Sequence, residues 1–554
     1  MKILKIPADV AGILIISLFL FIIRAGISHR VTPEIIFSND YYVQIELGKN
    51  IFQKGNFLAT SQAGLPLQYP PLFSVVIYLL TAFTKNPLLS IQYINAFSAS
   101  FCLIPFYLII KAVINKFSAF LGVLWLTLYL GITDPCFFPF IDYFYMLLVV
   151  SAFGLILSIY KAENPKPYLF VLTGIMVALN YLTRFLGLYF GFIALGAIIR
   201  KYVLKKEAGA KLFKISALFL IGALPLIIFY QGAFHFTRAG RGYYDIGHYS
   251  YIDGNYSYQG GREHKLYALN PEGNEFLFLS DYAGHTLIKD GLRHPDFILD
   301  KYKSGLKTVL FLAAQSLFPF TLFNQKIFYI GFWGIFVAVL FALFFFRPNK
   351  EPPVILAALF ALPMALLPFY VITRRYLVPF IPFYMILCLF IFYGIFSLIL
   401  KKKETIIIRY FLAAACLFLA AGVFWRYWEN SADKTSRFIR YQNEFVEGYQ
   451  DASRWIAGDA GRKTTRPKVM SRKTVFAQLA DADYIVLPYE NEWGRVIRFA
   501  ELKSVDYIVL DKLSVQKNRP DQWEALTQQQ PPGLELVYDS KTAINTIQIY
   551  KLIE

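Results

Sequence analysis

Apolar runs about 20 residues long recur along this chain, each long enough to cross the hydrocarbon core of a bilayer. The first span falls at 9–29, around an apolar core at 10–23, and others follow as far as residue 425. Only helices and closed barrels satisfy every backbone polar group in lipid, and runs of this length and continuity select helices. Composition agrees. Of 554 residues, 56% are hydrophobic and 17% charged, against roughly half and a quarter in a soluble domain, and mean hydropathy is +0.46. A soluble enzyme is excluded.

The formal net charge of +18 would raise nucleic-acid binding in a soluble protein, but in a membrane chain it is tested first against the positive-inside rule. Basic residues cluster at Lys111 and Lys116, at Lys161 and Lys166, at Arg200, Lys201, Lys205, Lys206 and Lys211, at Arg347 and Lys350, and at Lys401 to Lys403, all in short connections. Placing each cluster in the cytoplasm accounts for most of the excess, and no nucleic-acid partner is needed. The run after Lys2 and Lys5 lacks a small-residue cleavage pattern, since Arg24-Ala25-Gly26-Ile27-Ser28-His29-Arg30 follows. It is therefore kept as a first span with its N-terminus inside.

This parity gives about eleven crossings, near 9–29, 90–110, 117–134, 137–160, 168–184, 185–200, 212–232, 327–346, 353–372, 376–400 and 405–425. Two apolar stretches, 71–83 and 306–323, break the parity as spans and read as interfacial or re-entrant helices on the outer side. Outer loops then cover 31–70 and 233–304, and a tail runs from 426 to 554. The tail mixes charges with short β-rich runs at 484–487 and 505–511, a helix-permissive stretch at 521–529 and an alternating final strand at 546–550, which predicts a small α/β domain. Cys102, Cys136, Cys388 and Cys416 lie in apolar runs without CxxC spacing or a nearby histidine cluster and read as small buried hydrophobes. No internal repeat, Walker loop or dinucleotide fingerprint is present, so inverted-repeat transport, nucleotide hydrolysis and nicotinamide chemistry find no support.

The informative charges gather on the outer side. In the first outer loop, Ser38 or Asn39 can cap a helix whose first turn carries Asp40, a position where a carboxylate also simply complements the helix dipole. Asp142 lies just inside the outer end of its span, where it must pair with an arginine, bind a divalent ion or orient a substrate. Arg184 sits between two apolar runs beside Tyr181, either as an interfacial anchor or as an anion ligand. Arg374 and Arg375 occupy an outer turn, against the positive-inside trend; they either snorkel to headgroups or grip a phosphate with their planar forks. The second outer loop interleaves aromatics with Gly, His235, Arg238, Arg241 and His248, which suits sugar stacking or packing on the tail. No metal motif is recognised, and none is assigned to the two histidines.

Asp40-Tyr41-Tyr42, then a helix, Gly55-Asn56-Phe57 and Gln68-Tyr69-Pro70-Pro71-Leu72 together resemble the first outer loop of GT-C glycosyltransferases. The likeness is greatest to bacterial members similar to protein O-mannosyltransferases and to the lipid A aminoarabinose transferase. It continues through Asp142, Leu182-Thr183-Arg184, Arg374-Arg375-Tyr376-Leu377-Val378-Pro379 and Val505-Asp506-Tyr507. The resemblance implies a polytopic α-helical GT-C-like catalytic domain over 1–425, with its outer loops, followed by an extracytoplasmic α/β domain over 426–554. It implies transfer of a sugar from a polyprenyl-phosphate carrier to a lipid, glycan or protein hydroxyl, with inversion. Asp40 is then the candidate base, Arg374, Arg375 and Arg184 the candidate ligands of the donor phosphate, and Asp142, Arg238, Arg241, His248 and Tyr69 candidates for acceptor, sugar or pairing contacts. A divalent ion stays compatible with that set. The family often has Asp-Glu where this chain has Asp40-Tyr41, and Glu46 is too far along the helix to stand in. The expected location is the bacterial inner membrane with the tail periplasmic. A polytopic transporter or flippase and a non-catalytic envelope scaffold are the alternatives.

Overall fold

The computed structural model describes residues 7–30, 39–55, 57–60, 66–132, 134–137, 140–204, 209–235, 268–276, 295–317, 374–399, 447–461, 466–528, 531–541 and 545–553. In chain order the helices are α1 Ala8–Ser28, α2 Asn39–Lys54, α3 Leu72–Thr84, α4 Pro87–Phe101, α5 Leu103–Val113, α6 Lys116–Leu130, α7 Asp134–Phe137, α8 Ile141–Lys161, α9 Pro167–Thr183, α10 Gly187–Leu204, α11 Gly209–His235 and α12 Pro295–Leu317. After a 3-10 turn at Arg374–Leu377 come α13 Ile381–Ile399, α14 Glu447–Ala460, α15 Val475–Leu479, α16 Trp493–Leu502, α17 Lys512–Asn518 and α18 Pro520–Thr527. The strands are β1 Leu58–Thr60, β2 Pro66–Gln68, β3 Lys468–Ser471, β4 Asp483–Val486, β5 Tyr507–Asp511, β6 Leu534–Lys541 and β7 Thr546–Leu552. The chain divides into two compact units, one of Met1–Pro33, Pro70–His235 and Ile298–Ser431, the other of Glu34–Tyr69, Phe236–Phe297 and Ala432–Glu554.

The first unit is a helical bundle. Among the described residues Ala8–Ser28, Pro87–Val113, Ile141–Lys161 and Gly209–Tyr230 are long and apolar enough to cross a membrane, and Leu72–Thr84, Lys116–Leu130, Pro167–Thr183 and Ile381–Ile391 are shorter apolar helices. The expected spans at 327–346, 353–372 and 405–425 lie outside the described residues. The two stretches set apart from the spans are helical in α3 and α12, and Val309 and Ala313 of α12 belong to the same apolar core as the long helices.

Local chemistry fixes the helix ends. Asn86 accepts the amides of Leu88 and Leu89 at 2.9 and 3.3 Å and Pro87 takes the first helical position, so α4 begins three residues before the expected 90. Pro105 supplies no amide hydrogen, and the span divides into α4 and α5 at Cys102. After an extended Phe140, α8 begins at Ile141 and not at the expected 137, and Pro379 delays α13 from 376 to Ile381. Where α9 crosses α11, a Cβ on Gly174 would come within 2.1 Å of the Phe219 carbonyl oxygen, and one on Gly222 within 2.2 Å of that of Val171. The two backbones touch through these glycines, as small residues allow in membrane bundles.

The two ends of the bundle differ in chemistry. At one end Tyr107 and Lys111 both donate to Asp9 at 2.6 Å, Lys161 donates to the Ala112 carbonyl in the last turn of α5, and Lys201 to the carbonyls of Ile159 and Ala162 at the end of α8. Helix C-termini carry unsatisfied carbonyls and partial negative charge, which an ammonium group relieves. The opposite end holds Asp142 and Arg184, since α8 starts and α9 stops there. Nearby in α1, fully buried Arg24 donates to Ser100 Oγ at 2.8 Å and to the Gly131 carbonyl at 2.5 Å, tying α1 to α4 and to the end of α6. Cys102, Cys136 and Cys388 are buried free thiols, and Cys416 lies outside the described residues.

The second unit centres on a five-stranded sheet in the order β4-β3-β5-β7-β6, with β3 parallel to both β4 and β5, and β7 antiparallel to β5 and β6. All of β5 is buried, which is why it reads as an unbroken apolar run and not as an alternation. The expected strands at 484–487, 505–511 and 546–550 correspond to β4, β5 and β7, and the expected helix at 521–529 to α18; β3 and β6 complete the sheet. In the segment expected as the first outer loop, Val43 and Leu47 of α2 pack with Ile51 and Tyr69, and β1 pairs antiparallel with β2. In the second, Leu269 and Phe276 form a bridge. Glu490 accepts the Leu269 amide at 2.9 Å, and Arg495 donates to the Asn270 carbonyl at 2.8 Å.

Candidate functional site

Asp142, Arg184 and Arg375 meet at one end of the helical bundle. Asp142 lies in the first turn of α8, after an extended Phe140. Arg184 is the residue that stops α9: its φ of −148° and ψ of 136° leave the helix while its amide still reaches the Asn180 carbonyl at 2.9 Å. The chain then folds back over its own last turn, and a Cβ on Gly187 would lie 2.2 Å from the Asn180 carbonyl carbon, so only glycine allows this return. Arg184 is thereby turned toward α8, where its guanidinium donates to Asp142 in an ion pair. The carboxylate side chain is 2% exposed and the guanidinium 27%, so the pair has one dry end and one end open to a ligand or to headgroups.

Tyr376 joins this pair to the 3-10 turn. The Arg184 guanidinium carbon stands 5.3 Å from the Tyr376 ring centroid and 6.0 Å from that of Tyr145. Arg375 stands 4.9 Å from the same Tyr376 ring and 5.1 Å from that of Phe140, and donates to the Tyr376 hydroxyl at 3.0 Å. Two guanidiniums thus share one aromatic ring, each held by cation–π attraction. Sequence reasoning singled out the arginines and passed over Tyr376, Tyr145 and Phe140. The available signal was adjacency, since Tyr376 follows Arg375 and Tyr145 lies one turn beyond Asp142.

The other candidates fall elsewhere. Arg374 begins the 3-10 turn, with its side chain outside the described residues. Asp40 lies in the first turn of α2 within the second unit, again with its side chain outside the described residues. Tyr69 packs on Val43 and Leu47 in that unit. His235 ends α11, and Arg238, Arg241 and His248 lie outside the described residues. Among the described residues no three His, Cys, Asp or Glu side chains are grouped to hold a metal ion.

No family model matches the sequence, and no curated protein is similar to it in sequence. Solved structures do match in fold. ArnT from Cupriavidus metallidurans bound to undecaprenyl phosphate superposes with a TM-score of 0.52 at 11% identity, covering 97% of this chain and 98% of ArnT. Apo ArnT gives the same TM-score and identity over 98% and 97%. The archaeal oligosaccharyltransferase AglB from Archaeoglobus fulgidus, in complex with an inhibitory peptide and a dolichol-phosphate, gives 0.47 at 14% identity over 92% of this chain and 72% of AglB. The chain shares its fold with ArnT along nearly its whole length, which is the fold that the resemblance in the sequence implied.

Proposed function

We propose that this membrane protein transfers a sugar from a polyprenyl-phosphate carrier to an acceptor hydroxyl on the non-cytoplasmic face of a bacterial inner membrane. The carrying observation is the sharing of Tyr376 by Arg184 and Arg375 at the bundle end opposite the lysine-capped helices. The leaving group of such a transfer is a lipid phosphate, a stable anion that needs cations more than a proton donor. Arg375 and Arg184 hold it, with Arg374 beside them in the chain, and Asp142 orients Arg184 by pairing with it. That ArnT has been solved with undecaprenyl phosphate supports the choice of carrier.

In the reaction the acceptor oxygen attacks the anomeric carbon from the face opposite the phosphate. The new carbon–oxygen bond forms as the bond to the phosphate oxygen breaks. The electron pair leaves with the polyprenyl phosphate, and the acceptor proton passes to Asp40, giving inversion. A carboxylate at a partly dehydrated membrane surface suits that base. The described residues offer no grouped donor set for a divalent ion, and no step is assigned to one. Asp142, the buried carboxylate that a cation would seek, already faces Arg184.

The reading is tested by incubating purified protein in lipid with a panel of labelled polyprenyl-phosphate sugars and membrane acceptors. Wild type is compared with Asp40→Asn and Arg375→Ala. Transfer lost in Asp40→Asn with donor binding retained supports it. A panel that gives no transfer, from a protein that moves lipid or solute across vesicles, replaces it with the transporter.

A further inference from the structure

Helix α2, which opens with Asp40, is held from two sides within the second unit. Val43, Leu47 and Ile51 repeat every four residues and pack with Tyr69 of the same loop. Tyr41, Tyr42 and Lys49 reach the tail. Tyr41 is 2% exposed, and its hydroxyl faces the side chain of Gln478 on α15 at a geometry looser than a full hydrogen bond. Burial pushes the Tyr41 phenol well above its ordinary value, so it stays a neutral donor. The Tyr42 ring meets that of Tyr484 on β4 edge to face, with centroids 5.7 Å apart. Lys49 ion-pairs with Asp481 at 3.4 Å.

These tail residues occupy one short corner between α15 and β4, and that corner is itself braced. Arg466 donates to the Asp481 carbonyl at 2.8 Å, to the Asp481 carboxylate at 3.0 Å and to Asp483 at 2.9 Å. The Ala482 amide reaches the Ala477 carbonyl at 2.7 Å, and Asp481 turns the chain with a φ of +50°. Two of the contacts fall at the first turn of α2, next to Asp40, and the third about two turns later. Contacts at two heights fix both the axial position of a helix and its rotation.

We infer that Tyr41, Tyr42, Gln478 and Tyr484 are positioning residues that set the height and rotation of the Asp40 turn, so that the tail domain contributes to the transfer step through α2. The inference rests on Asp40 as the base. A residue's advance along a helix is about 1.5 Å with a rotation of about 100°, and a misplacement of about 1 Å at a reacting group can cost about 100-fold in rate. A tail that holds the first turn at two adjacent side chains therefore acts on kcat and leaves donor binding in the helical bundle alone.

The test compares transfer kinetics of full-length Gln478→Ala, Tyr42→Ala, Tyr42→Phe, Lys49→Glu and Asp40→Asn in lipid, with Trp455→Ala, which removes a ring packed on Tyr507 and Tyr538 inside the tail, as the control for tail stability. The expected result is a fall in kcat of at least tenfold in Gln478→Ala and Tyr42→Ala with KM for the donor unchanged. Tyr42→Phe keeps the ring contact and restores wild-type kcat, and Trp455→Ala keeps kcat per folded molecule. Should Tyr42→Ala not fold, the surface variant Lys49→Glu repels Asp481 and is expected to lower kcat several-fold, with recovery in Lys49→Glu/Asp481→Lys. Wild-type kcat in Gln478→Ala and Lys49→Glu, with Asp40→Asn inactive, overturns the positioning role and leaves the base standing. Full activity in Asp40→Asn overturns the base, and the positioning role with it.

Discussion

Arg184 ion-pairs with Asp142 across the ends of two neighbouring helices, the residue that caps the C-terminus of α9 reaching the first turn of α8. The carboxylate is almost wholly buried, so removing the guanidinium takes away a charge that compensates it in a dry place. Such a loss costs about 3 kcal/mol or more. Arg184→Ala is expected to lower the melting temperature of the purified protein in detergent, and Asp142→Asn in the same chain to recover most of that loss. Recovery of stability without recovery of transfer separates the structural share of the pair from its share in phosphate binding. A double variant no more stable than Arg184→Ala would disprove the pairing energy.

Arg375 offers a planar fork, held by Phe140 and Tyr376. Bidentate phosphate contacts are specific to that geometry, so lysine replaces only its charge. Binding of polyprenyl phosphate is expected to weaken about tenfold or more in Arg375→Ala, and to an intermediate degree in Arg375→Lys. Unchanged affinity in both variants would remove Arg375 from the site.

The crossing of α9 and α11 depends on Gly174 and Gly222. Adding a methyl group to either drives it into a backbone oxygen, and overpacking costs about 1–3 kcal/mol even where side chains can yield. Gly174→Ala is expected to unfold at a lower temperature than wild type. Gly196→Ala, where an added Cβ meets nothing within 4 Å, is the matched control and is expected to behave as wild type.

Asp481 gives the second unit a defined acid limit. Desolvation raises the carboxyl pKa of Asp481, whose side chain is 80% exposed, but Lys49 and Arg466 outweigh that and hold it below the ordinary 3.8. A depressed folded value means that the stabilisation is fully present above the ordinary value and is lost as pH falls through the lower one. Protection of the first outer loop against limited proteolysis is therefore expected to be flat from neutral pH down to about 5 and to fall only in strong acid. The difference between wild type and Asp481→Asn is expected to vanish there. A decline centred near neutral pH would point to another group.

What was legible in the sequence follows the range of the physics. Apolar run length gives α8, α9 and α11 to within a few residues, because membrane insertion and helix formation act on contiguous segments. Errors at the ends trace to Asn86 and Pro379, single residues whose capping or missing amide outweighs hydropathy. The buried β5 stood out as a run, whereas β3, only four residues long and flanked by basic residues, did not. Pairings remained hidden: Asp142 and Arg184 are 42 positions apart, Lys49 and Asp481 432, and no local period carries such information. Arg24 shows the same limit. In the sequence it only marks the absence of a cleavage pattern after the first apolar run, yet it is fully buried and joins three helices.

Lys161 and Lys201 each donate to carbonyls at the end of a neighbouring helix. During synthesis such lysines are read as orientation signals, one loop at a time. After assembly the same ammonium groups act as clasps between helices that are not consecutive in the chain, α8 to α5 and α10 to α8. Replacing one of them with a neutral residue thus has two separable consequences, an altered choice of side at insertion and a loosened bundle in chains that insert correctly. A topology signal built into the packing also acts as a proofreading step, since a hairpin inserted the wrong way round cannot supply the clasp its neighbours require.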